Sequence, residues 1–348
     1  MDEGRRAPQR EITERVDLCL PSGELNPAAV GWTRAALHRA NLRRGNARGL
    51  PATWSRTKTW EHCVLMNDRH VVTVIASALN FAGVHEVWVL DRRTGEEVSA
   101  SVTVPLARDT HMPAVVGTGP VRAHGTGLTI AVDPAPTLAS PDALWLRART
   151  DRIHLDVLVA PPAGTESLGV VVPWSERLFQ YSLTTAALPV SGALTVDGVR
   201  HELGEGTWAV LDHGRGRWPY SVLWNRGAGS GLVDGVRTGL QLGGRWTDGT
   251  GASESALSLD GRLHRIAEDL SWAYDATDVG APWFVTGERA DVRLTPFRTR
   301  TAAVSLGMLS ARTDRAFGTW TGWLRDDGGT KRRVDGLVGW AELVVNRW

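Results

Sequence analysis

From Trp60 onward the chain alternates between apolar and polar positions. Leu128, Ile130 and Val132 are interleaved with Thr129, Ala131 and Asp133, and Ile153, Leu155, Val157 and Val159 with His154 and Asp156. Successive side chains of an extended strand point to opposite faces, so this period of two predicts half-buried antiparallel strands with one wet face. The stretch from Val71 to Leu90 is richer in apolar residues, among them Val72, Val74, Val87, Trp88 and Val89. It predicts strands covered on both sides.

Turn chemistry fits the same pattern. Asp-Gly pairs at 197/198, 234/235, 260/261, 327/328 and 335/336, with Thr94-Gly95, stand between apolar runs, where tight hairpins place residues at positive φ. Helical periodicity is confined to a short possible helix around Ala28 to Ala40. Strand–helix alternation is absent, which disfavours a doubly wound nucleotide fold. The expectation is an all-β chain, a meander of hairpins whose strands remove their edges by curling into barrels or packing face to face.

A length of 348 residues exceeds the usual size of one hydrophobic core, which predicts two domains. The expected division is an irregular N-terminal segment over 1–58, one barrel over 59–188 and a second over 189–348. The junction is placed in the Thr185 to Gly192 stretch that contains Pro189, just before the first Asp-Gly hairpin. The leading segment carries Pro21, Pro27 and Pro51 and a scatter of Arg43, Arg44, Arg48, Arg56 and Lys58. That cluster reads either as a solvated loop face or as a cradle for an anionic headgroup.

Charge narrows the partners. The formal net charge of +1, from 39 basic against 38 acidic side chains, supplies no overall field for gathering nucleic acid or anionic lipid. The opening Met1-Asp2-Glu3-Gly4-Arg5-Arg6 leads into no apolar core of a signal peptide, and no later apolar run reaches the roughly 18–20 residues of a spanning helix. A cytoplasmic protein with no nucleic-acid partner and no stable membrane insertion is expected. Cys19 and Cys63 are the only cysteines, so they are expected to be reduced thiols, and a C-x-x-C metal site is excluded.

Tryptophan changes the picture most, with 16 Trp against 5 Phe and 3 Tyr. Large rings with a single N–H donor suit barrel cores and the walls of pockets for flat apolar ligands alike. The densest polar and aromatic stretch runs from Gly206 through Asp212, His213, Gly214, Arg215 and Gly216 to Trp218 and Tyr220, followed by Trp224. A carboxylate next to an imidazole supplies a proton donor and a group that tunes it, and Trp218, Tyr220 and Trp224 supply stacking walls. The alternative is that Asp212 caps a turn and His213 bonds backbone. A second cluster, Gly243 to Glu254, adds Trp246, Asp248 and Glu254 in a glycine-rich run that reads as ligand-approaching backbone or as a wide loop. There is no G-x-S-x-G elbow, P-loop or H-E-x-x-H motif, and Gly214-Arg215-Gly216 lacks the third glycine of a dinucleotide fingerprint. No metal and no cofactor are expected.

Several separated motifs, in order, resemble a bacterial and fungal family known as domain of unknown function 2804. They are Leu25 to Trp32, Thr59-Trp60-Glu61 with Val64, Val172-Pro173-Trp174-Ser175, Phe179-Gln180-Tyr181, Leu211 to Gly216, Gly244 to Gly251 and Leu337 to Glu342. A fainter likeness, over Pro189 to Gly198, Gly206-Thr207-Trp208, Asp212-His213 and Gly239 to Leu242, is to carotenoid hydratases and the AttH-like and Diels–Alderase proteins. That resemblance implies two lipocalin-like (calycin) antiparallel β-barrels in tandem. It also implies Asp212 and His213 as an acid pair and Trp218, Tyr220 and Trp224 as aromatics facing a developing cation. The sequence departs from that pattern after His213, where Gly214-Arg215-Gly216 replaces an acidic residue and Trp. Two functions remain open. One is a cofactor-independent enzyme that hydrates, cyclises or isomerises a largely apolar isoprenoid or polyketide-like molecule. The other is a non-catalytic carrier of such a hydrophobic small molecule.

Overall fold

The alternating segments form strands of two large antiparallel sheets in the computed structural model, which describes residues 9–42, 56–306 and 309–347. Arg43, Arg44, Arg48, Pro51 and the Met1 to Arg6 stretch lie outside the described residues. In the first sheet the order is Glu97–Pro105, Ala82–Asp91, His70–Ala78, Thr57–Met66, Trp208–Arg217, Phe179–Val196, Ile153–Val159, Leu144–Arg149, Leu128–Pro134, Val121–Gly125 and Thr110–His111. The second runs Arg262–Ile266, Ser255–Leu259, Val236–Gly244, Ser221–Val233, Leu337–Arg347, Leu309–Arg325, Ala290–Leu306, Trp283–Thr286 and Ser271–Ala273. Each sheet curls over its own core without its end strands pairing to each other. The chain is thus almost wholly β, with two lipocalin-like sheets in tandem. Among the described residues no helix is long and apolar enough to cross a membrane.

Alternation places the cores. Leu128, Ile130, Leu146, Ile153, Leu155 and Val157 point into the first sheet's interior. The strands between Val71 and Leu90 are buried on both faces: Val72, Val74 and Val87 join that interior, whereas Val71, Trp88 and Leu90 join a layer between the two sheets. In this layer Trp88 stacks on Phe317 with ring centroids 5.0 Å apart, beside Trp340 and Ala228. The second interior is filled by side chains, Trp283 and Trp320 foremost. Trp320 is fully buried and its indole N–H donates to the Ala228 carbonyl at 3.0 Å. A Cβ on Gly227 would stand 2.9 Å from that ring, so glycine there lets the indole lie against the strand. Tryptophan's abundance is therefore, in this half, core packing.

Three Asp-Gly pairs, 197/198, 234/235 and 260/261, have both residues at positive φ, the turn geometry that matches strand twist. At 335/336 the positive φ falls on Gly336 alone, and at 327/328 it falls one residue beyond the pair, on Gly329.

The expected helix around Ala28 to Ala40 is absent. Only Pro27–Ala29 forms a 3-10 turn, after which Trp32–Thr33 pairs with Leu168–Pro173 of the first sheet and His38–Arg39 with Val16–Asp17. Tertiary strand pairing outweighs the weak local helix propensity. Residues 188 and 189 lie inside one continuous strand, Phe179–Val196, and the chain passes from the first sheet to the second between Arg217 and Ser221.

Candidate functional site

The Trp208–Arg217 strand carries the chemistry. It pairs with Thr57–Met66 on one side and Phe179–Val196 on the other, so that Leu183, His213 and Glu61 form one cross-strand row and Thr184, Asp212 and His62 the next. Successive residues of a strand face opposite ways. Leu211 and His213 therefore turn toward the first sheet's interior, while Val210 and Asp212 turn toward the second sheet. The glycine after His213 has a steric reason: a Cβ on Gly214 would stand 2.0 Å from the Trp60 ring, which lies flat on the backbone there.

On the inner face His213 Nδ1 is hydrogen-bonded to one oxygen of the Glu61 carboxylate, and Arg215 donates to the other. Arg215 is held in turn by the carbonyls of Trp60 at 2.8 Å and Gly214 at 2.9 Å. Burial alone would raise Glu61, but His213 and Arg215 outweigh it and hold the carboxyl at about 2. Glu61 is thus an acceptor for the Nδ1–H, which leaves Nε2 as the imidazole's other working atom. Among the described residues Nε2 makes no hydrogen bond.

His213 lies between two spaces that it lines jointly with Leu144 and Leu211. The outer one is a cavity of about 390 Å³, within the ~300–1,000 Å³ range of small-molecule sites. It is walled by residues 35–37 of the N-terminal segment, the 115–118 turn and prolines 134, 136 and 141, and its inner wall includes Leu183, Leu188 and Ser167. The inner space is about 30 Å³, bounded by the 61–63 stretch of the Thr57–Met66 strand, by His213 and by aliphatic residues, room for about one water.

On the opposite face Asp212 is buried in an ionic cluster between the sheets. Arg226 of the second sheet donates to it at 2.8 Å, and the Trp60 indole N–H at 3.3 Å. Glu254 accepts from the Trp246 indole at 2.6 Å and from the Ser182 hydroxyl. Burial raises both carboxyls above their usual range, with Arg226 pulling the other way. His62 is pushed far down by burial, and by Arg315 and Arg226, so it stays neutral. Around this cluster Trp224 stacks on Trp246 at 4.9 Å, and Trp218 meets Trp60 and Trp224 edge-on at 5.4 and 5.3 Å.

The residues singled out by sequence thus divide. Asp212, Trp218, Trp224, Trp246 and Glu254 come together between the sheets. His213 stands on the far side of the same strand, and the Asp212–His213 pair does not share a cavity. Tyr220 is exposed, and Asp248 is an exposed turn residue that accepts the Arg245 backbone N–H at 3.1 Å. Of the basic cluster, Arg56 is half-buried and bonds the Trp218 carbonyl at 3.1 Å, and Lys58 is fully buried and so is not part of a solvated face. Sequence reasoning missed Glu61, Arg215 and Arg226 as site residues. The alternation of Glu61, Cys63 and Leu65 against Trp60, His62 and Val64 puts Glu61 on one face of its strand but does not name His213 as its neighbour. Among the described residues no group of three or more His, Cys, Asp or Glu is placed to hold a metal.

These features define a tandem lipocalin-like protein with a histidine–carboxylate pair beside a small-molecule-sized cavity in its first half. The chain belongs to the family described as domain of unknown function DUF2804, whose model matches residues 9–348. No curated protein matches it in sequence. Among solved structures it is similar to CghA with Sch210972, at 13% identity and a TM-score of 0.51 over 84% of this chain and 88% of that one. It is also similar to kievitone hydratase from Nectria haematococca, at 10% identity and a TM-score of 0.46 over 88% and 96%. An AttH-like protein from Nitrosomonas europaea matches at 12% identity and a TM-score of 0.43 over 87% and 97%. The likeness to CghA is one of fold.

Proposed function

We propose that this chain binds a largely apolar small molecule in the cavity of its first sheet and carries out cofactor-independent acid–base chemistry on it through His213. The observation that carries this reading is the placement of His213: it lines the cavity, its Nδ1 is committed to an ionised Glu61, and its Nε2 is uncommitted. A fixed carboxylate sets the tautomer and balances the positive charge that forms when the imidazole takes up a proton. Nε2 then accepts a proton from the bound molecule or returns one, as hydration, cyclisation or isomerisation of an unsaturated ligand requires. The aliphatic part of the wall, Leu37, Leu144, Leu183, Leu188 and Leu211 among it, supplies the affinity for an apolar molecule. A protein of the same fold, CghA, is known with a small molecule, Sch210972, which supports ligand binding by this architecture.

Asp212 has a different part. Its carboxylate is spent on Arg226 and Trp60 between the sheets, and it acts as a tie between the two halves.

Mass spectrometry of the small molecule that accompanies the purified protein supplies the compound for the test. Conversion of that compound by the wild type and by His213→Ala is then compared. Loss of turnover in His213→Ala, with affinity kept within about tenfold, is expected. Equal turnover in both removes the role of His213, and binding without conversion by the wild type makes the protein a carrier.

A further inference from the structure

The Phe179–Val196 strand changes phase where it passes the cavity. Leu183, Thr185 and Leu188 all line that space, although Thr185 and Leu188 are three residues apart and a regular strand would turn them to opposite faces. A bulge reconciles them: the register with Trp208–Arg217 shifts between Thr185 and Leu188, and Ala187 adopts φ +56°. Left-handed backbone at a non-glycine residue is strained and persists only where its surroundings enforce it. Here the second sheet enforces it, because the Ser230 hydroxyl accepts the Ala187 N–H at 2.9 Å and Ala186 is buried against that sheet. The bulge keeps the Thr185 hydroxyl on the cavity wall, beside Ser167 and on the same sheet face as His213, while Arg15, Thr118, Asp142 and Thr165 stand elsewhere on the lining.

Thr185 Oγ1 is 2.7 Å from Ser167 Oγ, and both residues line the cavity. Two hydroxyls bonded to each other use one hydrogen and one lone pair, which leaves one O–H donor and three lone pairs. Neither oxygen has a further protein partner among the described residues. Thr185 pairs with Leu211, so it is the diagonal neighbour of His213 on the same face of the sheet, at roughly 7–8 Å.

Resting on the reading of this cavity as the ligand site, we propose that the Ser167–Thr185 hydroxyl pair is the polar subsite on the His213 side of its wall. The natural ligand is then an oxygenated apolar molecule, with a carbonyl or hydroxyl a few bonds from the atom facing His213, rather than a pure hydrocarbon. A ligand oxygen at this pair fixes which carbon faces Nε2, which makes Thr185 and Ser167 specificity-determining residues.

Two isosteric probes test this, 2-acetylnaphthalene and 2-isopropenylnaphthalene, which differ only in C=O against C=CH2. Their dissociation constants are measured by ligand-observed NMR with the wild type, Thr185→Val and Ser167→Ala/Thr185→Val. The wild type is expected to favour the ketone, and the variants to lose that preference by about tenfold through weaker ketone binding, with the alkene bound as before. Val keeps the shape of Thr, and unchanged alkene affinity shows an intact cavity. Equal binding of both probes by the wild type, or a preference that survives the double substitution, overturns the subsite while leaving the cavity reading in place. Binding of neither probe overturns the cavity reading, and the subsite with it.

Discussion

Asp212 and His213, joined by one peptide bond, are held by different sheets: Asp212 is paired with Arg226 of the second, and His213 with Glu61 of the first. The strand that carries them is a wall between two environments. One is a closed ionic layer that fastens the halves together, and the other is the cavity.

The ionic layer makes a prediction about stability that leaves the cavity untouched. Removing one partner of a buried pair strands the other, so Arg226→Met is expected to cost roughly 3–5 kcal/mol. Adding Asp212→Asn to that variant is expected to restore part of it. A double-mutant cycle from urea unfolding measures the coupling, and additive losses would show that the pair does not act as a unit. Affinity for an aromatic probe such as 2-acetylnaphthalene is expected to stay within about twofold in folded Arg226→Met, since an effect on stability alone leaves the cavity as it is.

Acid stability should depend on Glu61. Its folded value is lowered from 4.5 to about 2, so its contribution is fully present above the ordinary carboxylate range and is lost as pH falls toward 2. That difference is worth on the order of 3 kcal/mol. Asp212 and Glu254 are raised instead, and their contribution is present at low pH and lost as pH rises through their folded values. Urea unfolding of Glu61→Gln and wild type is expected to show a gap near pH 6 that closes as pH falls from 4.5 to 2. A gap that stays constant would show that Glu61 is not held ionised by His213 and Arg215.

Trp320 gives a third test. Trp320→Ala empties the centre of the second sheet's core and is expected to lose roughly 3–5 kcal/mol. Added indole should restore part of the loss by occupying the space, which a shift in the thermal midpoint reads. No shift with indole, in a folded variant, would mean that the core collapses around the deletion.

Much of the fold was legible because alternation is a local property. Ile153, Leu155 and Val157 declare their buried face, and Asp197-Gly198 its turn, within a few residues of sequence. Residues 28–40 misled because the pairing of Trp32 with Val170 joins positions far apart in the chain. The site was half legible for the same reason. Asp212 and His213 stood out as a polar pair, but once they lie on a strand, period two separates them. Glu61 and Arg226 reach them only through the sheet order, which no local pattern encodes. Trp246 and Glu254 were grouped by composition, and they do meet the other tryptophans, yet in an interior layer and not around the cavity.

The central claim is that the cavity beside His213 is where this protein takes its ligand. Long-range ¹H–¹⁵N spectra of the histidine imidazoles, with His213 assigned through His213→Gln, read this directly during titration with 2-acetylnaphthalene. The account predicts saturable shifts of the His213 Nε2 resonance, while His62, on the other face of the wall, stays in place. Saturable binding that leaves His213 unmoved would contradict it.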